Sequence, residues 1–258
     1  MFLSIFTTSW VFSEVHPKIV NADDIAIVDN INVECTVSGA ARCAGAFGHA
    51  INTTVTNAVT SGSVTGTDYY VGGLVGRTKT VTGIKNSYSA AKVTGTSNVG
   101  GFVGNVESTG CVVTNSYWNK SLSGLTTSAL GEVKGISSLA KQSTYLNWDF
   151  TDVWGIDEGK SLAYLKAFGV PDKLYDVVTN NTEMEGSGAE EDPYIIKTVE
   201  DLKNVKNELS AFYKLGNNLD LKDEANWTPL GNSTTKFTGG LDGAGYTISN
   251  LTIKDTTG

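Results

Sequence analysis

Short runs of β-branched residues alternate with polar ones through the first half of the chain. Thr54-Val55-Thr56, Ser63-Val64-Thr65 and Lys92-Val93-Thr94 each set one apolar side chain between two polar ones, and glycine or asparagine lies close by. This two-residue period is typical of strands, because successive side chains of a strand point to opposite faces. No stretch before Leu130 has a convincing helical stripe. The pattern therefore predicts an all-β region of short strands.

The strand pattern repeats every 28 or 29 residues. Val71-Gly72-Gly73-Leu74-Val75-Gly76 returns at residues 99–104 with a degenerate copy at 44–48, and Asn86-Ser87-Tyr88 returns at 115–117. Repeats of this length are typical of stacked architectures, in which each repeat packs on its neighbours. We therefore expect an all-β fold, a β-solenoid like a right-handed parallel β-helix, whose coils lie one strand spacing of roughly 4.8 Å apart.

Stacking of such coils places equivalent residues in columns. Asparagine side chains can bond the turn backbone and one another along a column, and glycines suit corners that need a positive φ or a close backbone approach. The positions that we expect to shape the fold in this way are Asn57, Asn86, Asn115, Gly66, Gly95, Gly124, Gly72 and Gly100. We expect an architectural role for them rather than a ligand-binding one.

A further column combines three different polar side chains. His49, Arg77 and Asn105 recur at intervals of 28 residues and should stack on one solvent-facing edge. One interpretation is a surface binding strip for an anionic sugar or a carboxylate. The other is a set of solvated turn residues, which is where such side chains normally lie. The sequence alone favours the second interpretation and leaves the first open.

The repeat resembles a known family. Residues 86–104, NSYSAAKVTGTSNVGGFVG, and their partner at 72–76, GGLVG, are similar to the GLUG repeat of large bacterial surface proteins, including the non-catalytic parts of immunoglobulin A1 peptidases. The resemblance covers residues 33–124 and implies a β-solenoid in an extracellular or cell-surface protein. Residues 1–32 are then an N-terminal segment or an incomplete coil. Their apolar start makes a poor signal peptide, and a secretion signal stays open as the alternative.

Bulky apolar residues follow the last repeat. Trp148, Phe150, Val153, Trp154 and Ile156 lie within nine positions, and the density fits a plug over an open solenoid end. A short helix is expected just before them, capped by a serine at 137 or 138 and running over residues 139–144. The GLUG-type region would then extend over residues 33–168, and the polar, acidic residues 169–187 would be a linker.

A second module is predicted over residues 188–258. Thr198 and Asp201 form a variant capping box, and an apolar stripe follows it on one helix face: Val199, Leu202, Val205, Leu209 and Phe212. The order of this helix and the later strand-like segments resembles the opening of pectin-lyase-like parallel β-helices. The resemblance implies a capping helix on a truncated solenoid, so we expect a longer parent protein or self-association through an unfinished C-terminal coil.

Charge and composition narrow the function classes. The 258 residues carry a net charge of -8, and the segment from Asp149 onward holds 19 acidic and 10 basic residues. An acidic chain is a poor nucleic-acid binder, because phosphate binding needs a basic surface. A mean hydropathy of -0.09 predicts no membrane span. Cys35 and Cys43 either pair, leaving Cys111 over, or all three are small buried residues.

No catalytic constellation is evident. His16 and His49 are the two histidines and no HExxH motif exists, which excludes a zinc peptidase of that type. A lyase would need a base beside carboxylates, and the columns nearest Arg77 supply none. Asp220, Asp223 and Glu224 are a weak candidate calcium site. We expect no cofactor and no enzymatic activity within these residues.

The preferred function is therefore an extracellular or cell-surface structural or adhesive module of a larger bacterial protein. One alternative is the non-catalytic portion of a secreted carbohydrate-active enzyme or an immunoglobulin A1-type peptidase. Another is a fibre component of a secreted or phage-like assembly. The expected partners are a host glycan or protein, or further repeats of the same protein.

Overall fold

The computed structural model describes residues 26–80, 82–170, 172–181 and 183–254. The protein is mostly β with parallel sheets, and its helix content is low. It divides into two units, one reaching to residue 134 and including 139–180, the other made of 135–138 and the chain from 181 onward. The apolar N-terminal start lies outside the described residues. In the described part of the chain, no helix is both long and apolar enough to span a membrane.

Fifteen strands belong to the described part of the first unit. They are β1 Ala26–Gly39, β2 Cys43–Ala44, β3 Phe47–Ile51, β4 Thr53–Gly66, β5 Tyr69–Gly72, β6 Val75–Lys79, β7 Thr82–Lys85, β8 Tyr88–Thr94, β9 Ser97–Gly100, β10 Val103–Val106, β11 Cys111–Thr114, β12 Tyr117–Trp118, β13 Glu132–Val133, β14 Trp154–Gly155 and β15 Tyr164–Leu165. Because β1 starts at Ala26 and pairs with β4, the repeat begins ahead of the expected boundary at residue 33.

Three parallel sheets join equivalent strands of successive repeats. One sheet has the order β11-β7-β4-β8-β12-β13 with β1 also on β4, and two smaller ones run β2-β5-β9 and β10-β6-β3. Val59 pairs with Tyr88, and Tyr88 with Tyr117, at the spacing that the repeat predicts. Leu74 and Phe102 are fully buried in the core between the sheets. The residue pattern thus gives the register of these strands as well as their type.

Among the described residues other than glycine, asparagine occupies most of the positions with a positive φ. Asn30, Asn57, Asn86 and Asn115 have φ values of 54, 50, 49 and 46°, and they are equivalent positions of four repeats. Asparagine enters this region at lower cost than most residues, because its short side chain bonds locally. The Asn30 copy was not anticipated, although it lies 27 residues before Asn57 and precedes an apolar residue as Asn57 does.

The predicted glycine columns have a different cause. A Cβ at Gly66 would lie 2.3 Å from Val71 Cγ2, and one at Gly72 or Gly100 would lie 1.9 or 2.0 Å from the carbonyl oxygen of Val75 or Val103. Close approach therefore explains these three positions. Gly124 differs, with φ 72° at the C-cap of helix α1, Lys120–Ser123.

Helix α1 was not expected ahead of Leu130. The Asn119 side chain caps it by accepting hydrogen bonds from the backbone N–H groups of Ser121 and Leu122 at 2.9 and 3.0 Å. A single turn of this kind buries too few residues to leave a periodic pattern in the sequence. The expected helix over 139–144 is also different, since α2 is Ile136–Leu139 and a 3₁₀ turn follows at Gln142–Thr144.

The bulky residues around Trp154 cover the side of the repeats rather than plugging an end. Trp154 Nε1 donates to Asn57 Oδ1 at 3.1 Å, Tyr88 Oη donates to the Ala163 carbonyl at 2.6 Å, and Trp148 Nε1 donates to the Asn115 carbonyl at 2.9 Å. A plug would contact only the last repeat, whereas this segment touches three. We call residues 144–170 and 172–178 the lateral cover.

The predicted linker is partly folded into this cover. Helix α3, Asp172–Thr179, lies within residues 169–187, and its Leu174 is buried with Val177 and Val178 against the cluster that contains Trp154. Among the described side chains of this helix, three apolar ones lie against the cluster. Because residues 169–187 are mostly polar and acidic, their composition did not predict this short amphipathic helix.

The second unit is smaller. Its elements are β16 Tyr194–Ile196, α4 Val199–Asn204, a 3₁₀ turn Val205–Asn207, β17 Phe212–Leu215, β18 Leu219–Asp220, β19 Gly240–Asp242 and β20 Ile248–Ser249. The strands pair in parallel as β16-β17-β19 and β18-β20. The capping box is confirmed, with Thr198 and Asp201 bonding each other's backbone N–H groups. The helix is shorter than its apolar stripe, because Phe212 already belongs to β17.

Candidate functional site: a corner strip of the first unit

The sheet β10-β6-β3 brings the mixed polar column together. Arg77 on β6 pairs with His49 on β3 and with Asn105 on β10, so the three residues are neighbours on adjacent parallel strands. Each is half-buried, which differs from the fully solvated edge that the sequence predicts. Partial burial follows from a second row of side chains that packs beside them.

This second row lies seven residues upstream at a left-handed corner. Arg42, Tyr70 and Asn98 have φ values of 54, 63 and 52°. The Arg77 guanidinium lies over the Tyr70 ring at 4.7 Å from its centre, and Asn105 Nδ2 donates to Asn98 Oδ1 at 3.3 Å. We call the two rows the corner strip; it comprises Arg42, His49, Tyr70, Arg77, Asn98 and Asn105.

Aromatic rings hold both arginines of the chain. The Arg42 guanidinium lies 5.7 Å from the centre of the Tyr69 ring, and the rings of Tyr69 and Tyr70 meet edge to face at 4.6 Å. An arginine over an aromatic face is attracted by the ring quadrupole and loses side-chain freedom. The two guanidinium groups are therefore placed before any ligand arrives.

One carboxylate lies at the strip. Glu107 Oε2 is 2.8 Å from Arg77 Nη2, and Glu107 Oε1 is 3.4 Å from Lys79 Nζ. The sequence-based view that no carboxylate stands near Arg77 is therefore wrong. Glu107 lies two positions after Asn105, and residues two apart along an extended chain point to the same face. Since the repeat spacing places Asn105 beside Arg77, it also allows Glu107 to lie near Arg77.

The charges and the burial of the strip shift the pKa of His49. Burial lowers the pKa of His49 below its usual value, the positive charges of Arg77, Arg42 and Lys79 lower it further, and Glu107 opposes them. Among the described side chains, His49 Nε2 and Arg77 Nε are buried polar atoms without a hydrogen-bond partner. The strip therefore carries positive charge and is partly shielded from solvent, and these two nitrogens can accept or donate further hydrogen bonds.

The asparagine positions serve the lateral cover. Asn57 accepts from Trp154 and donates to Asp29 Oδ1 at 2.9 Å, and Asn86 Nδ2 donates to the Asn147 carbonyl at 3.4 Å. The bond to Asp29 runs to the neighbouring repeat, whereas those to Trp154 and Asn147 lead out of the column, and none of the three joins two asparagines of the column as expected. Their side chains tie the repeats to the segment that covers them.

The candidate calcium residues have other partners. Asp220 Oδ1 accepts from Asn250 Nδ2 at 2.7 Å and from the Lys222 backbone at 3.0 Å, and these bonds lower the pKa of Asp220. Glu224 forms an ion pair with Lys203. Within the ranges that the structure describes, no three metal-ligating side chains converge, those of Asp220, Asp223 and Glu224 included.

The cysteine thiols and a cavity of the second unit are weaker candidates for a functional site than the corner strip. Cys35, Cys43 and Cys111 are free thiols, and burial raises the pKa of each, which disfavours the reactive thiolate. An open cavity of about 460 Å³ is lined by residues that include Phe212, Lys214 and Asp242. Its lysine lies 3.7 Å from the Asp242 carboxylate, and Glu190 adds a second carboxylate to the lining, so the cavity offers no surplus of positive charge.

Comparison with known proteins gives partial similarities. The chain is 35% identical over 80 residues to a putative Gly-rich membrane protein of Evansella cellulosilytica, a match that covers 28% of this chain and 9% of that protein. It is 36% identical over 80 residues to halomucin of Haloquadratum walsbyi, covering 26% of this chain and 1% of halomucin. The chain thus matches less than a tenth of either relative. No family model matches the chain. No solved structure matches it significantly either.

Proposed function

We propose that this chain is a structural β-solenoid module of a larger extracellular or cell-surface protein, and that it also takes part in adhesion. The observation that carries the proposal is the in-register parallel pairing of strands 27 to 29 residues apart in the first unit. Each added repeat extends the sheets and buries its own apolar residues on the previous one, which makes a stiff, extendable rod.

The partial relatives support this location. One is named a membrane protein and the other a halomucin, and in both a segment of 80 residues resembles this chain. The matched share of 9% and 1% fits a module used within far longer proteins. The similarity of residues 33–124 to GLUG repeats points the same way, and the pectin-lyase-like order of the second unit extends the solenoid proposal to residues 188–254.

The surface location is tested on intact cells of the source organism. Antibodies raised against the purified chain should label the cells without permeabilisation, and brief external protease treatment should remove the label. A cytosolic enzyme followed in the same samples is the control for leakage. Labelling that appears only after permeabilisation contradicts the proposal.

The solenoid register is tested by cross-linking in a variant with all three cysteines replaced by alanine. Ser63 and Lys92 are partners on β4 and β8, so S63C with K92C should oxidise to an intramolecular disulfide. The matched control is S63C with T94C, whose residues are diagonal neighbours and lie beyond the reach of a disulfide. Equal oxidation of the two pairs contradicts the proposed stacking.

A further inference from the structure

The corner strip has a surplus of positive charge in an acidic chain. Arg42, Arg77 and Lys79 lie close enough to shift the titration of His49, and Glu107 is the carboxylate that opposes them there. The chain as a whole has a net charge of -8. The negative charge belongs mainly to the segment from Asp149 onward, which holds 19 acidic and 10 basic residues, so the repeats that carry the strip are close to neutral and do not oppose the approach of an anion.

The shape of the strip fits a linear polymer. One row of the strip lies on the adjacent parallel strands β3, β6 and β10, and the other comes from β5, β9 and the turn before β2, so each step along the strip equals one strand spacing of roughly 4.8 Å. From one side to the other, the strip presents the Arg42–His49 pair, the Tyr70–Arg77 pair and the Asn98–Asn105 pair. A row of this kind can follow a chain whose charged groups recur along its length.

The side-chain chemistry fits a sugar acid. Guanidinium groups bind carboxylates through two parallel hydrogen bonds, and the tyrosines already hold both guanidiniums in place. Amides such as those of Asn98 and Asn105 can both donate to and accept from sugar hydroxyls. Among the described side chains, His49 Nε2 and Arg77 Nε are buried without a hydrogen-bond partner. A ligand that bonds to them would lower the free-energy cost of burying these two atoms.

We propose that the corner strip binds a linear polysaccharide that carries carboxylates, with Arg42 and Arg77 as the carboxylate-binding residues. Glu107 forms an ion pair with Arg77 when the strip is empty, and it competes with the ligand carboxylate for the same guanidinium. Arg42, which is exposed and stacks on Tyr69, makes the first contact.

The experiment measures binding of the purified full chain to hyaluronan by calorimetry at low salt, with heparin, dextran and single-stranded DNA as comparisons. Hyaluronan should bind and dextran should not. Arg42→Gln should weaken hyaluronan binding about tenfold, as expected for the loss of one charge-assisted contact. Glu107→Gln should strengthen it about threefold, because it removes the competing carboxylate.

The matched control is Lys92→Gln, which removes one exposed positive charge from β8, in a different sheet. It should change hyaluronan binding less than twofold. Equal losses in Arg42→Gln and Lys92→Gln overturn the proposal, since they would show attraction to net charge. Binding to heparin alone overturns the assignment to carboxylates, and DNA bound as tightly as hyaluronan overturns the assignment to polysaccharide.

This inference specifies the adhesive part of the proposed function and can fail separately. A chain that labels intact cells and does not bind hyaluronan loses the ligand assignment only. A chain that binds hyaluronan through Arg42 and stays inside the cell loses the surface location only.

Discussion

Two side-chain columns of the first unit share one repeat and have opposite surroundings. The column of Val59, Tyr88 and Tyr117 is buried under the lateral cover, where Trp148 and Trp154 pack ring against ring at 4.1 Å. The column of His49, Arg77 and Asn105 is only half-buried and has no such cover among the described residues. The repeat supplies the same spacing to both columns.

The difference shows what a repeat determines and what it leaves free. Backbone pairing fixes where equivalent side chains stack, and the side chains then decide whether the column binds another part of the chain. Aromatic residues bury much apolar surface on contact, so the aromatic column attracts a cover. Charged residues lose hydration on burial, so the polar column stays accessible.

The largest expected effect comes from breaking the covered column. Trp154→Ala should lower the free energy of unfolding by about 3–5 kcal/mol, because Trp154 is fully buried and its indole N–H bonds Asn57. Urea denaturation followed by circular dichroism measures the loss. Phe168→Ala is the control, since Phe168 is an exposed aromatic residue of the same unit. Similar losses in the two variants would show that the cover is not part of the core.

A smaller effect is expected from the glycines at which two backbone segments lie close together. Gly72→Ala should cost about 3 kcal/mol, because its Cβ would lie 1.9 Å from the Val75 carbonyl oxygen, just ahead of Arg77 on β6. Gly83→Ala on β7 should be neutral or slightly stabilising, since the nearest atom to its Cβ is 3.9 Å away. Denaturant midpoints compare the two variants. A Gly72→Ala protein as stable as Gly83→Ala would contradict the close approach.

The smallest expected effect is a change of stability with pH, and it concerns the half-buried column of His49, Arg77 and Asn105. The pKa of His49 is lowered from 6.5 in the folded protein, so the unfolded chain binds a proton at His49 more readily as the pH falls. Stability should therefore decrease from about pH 7 towards pH 5 through this group. His49→Asn, which introduces the residue type of the Asn105 position, should make the decline shallower. Parallel curves of melting temperature against pH for wild type and variant would contradict this origin.

The sequence predicted the periodic part of the molecule well. A spacing of 28 or 29 residues gave the partners of Tyr88 and Arg77, because parallel pairing converts a sequence interval into a spatial neighbour. It also gave the capping box at Thr198, which depends on residues three positions apart. Features governed by local or periodic rules could therefore be found without a structure.

Features that depend on tertiary contacts were missed or misplaced. Nothing in the order of Trp148 and Trp154 tells whether they cover an end or a side of the repeats. Tyr70 and Arg42 adopt left-handed backbone conformations that neither residue type favours, so no local signal marks that corner. The ion pair of Arg77 with Glu107 joins residues 30 positions apart, and it becomes visible only when both the register and the side-chain direction are known.

The register also bears on how such a chain can change by gene duplication. Strand β6 pairs with β3 at an offset of 28 residues, whereas the next strand, β7, pairs with β4 at 29, so the offset grows by one residue from one strand to the next. The offset returns to 28 between β8 and β9. Insertions and deletions of a single codon are thus absorbed at the corners, and a duplicated segment of either length would keep its strands in step with the parent repeats.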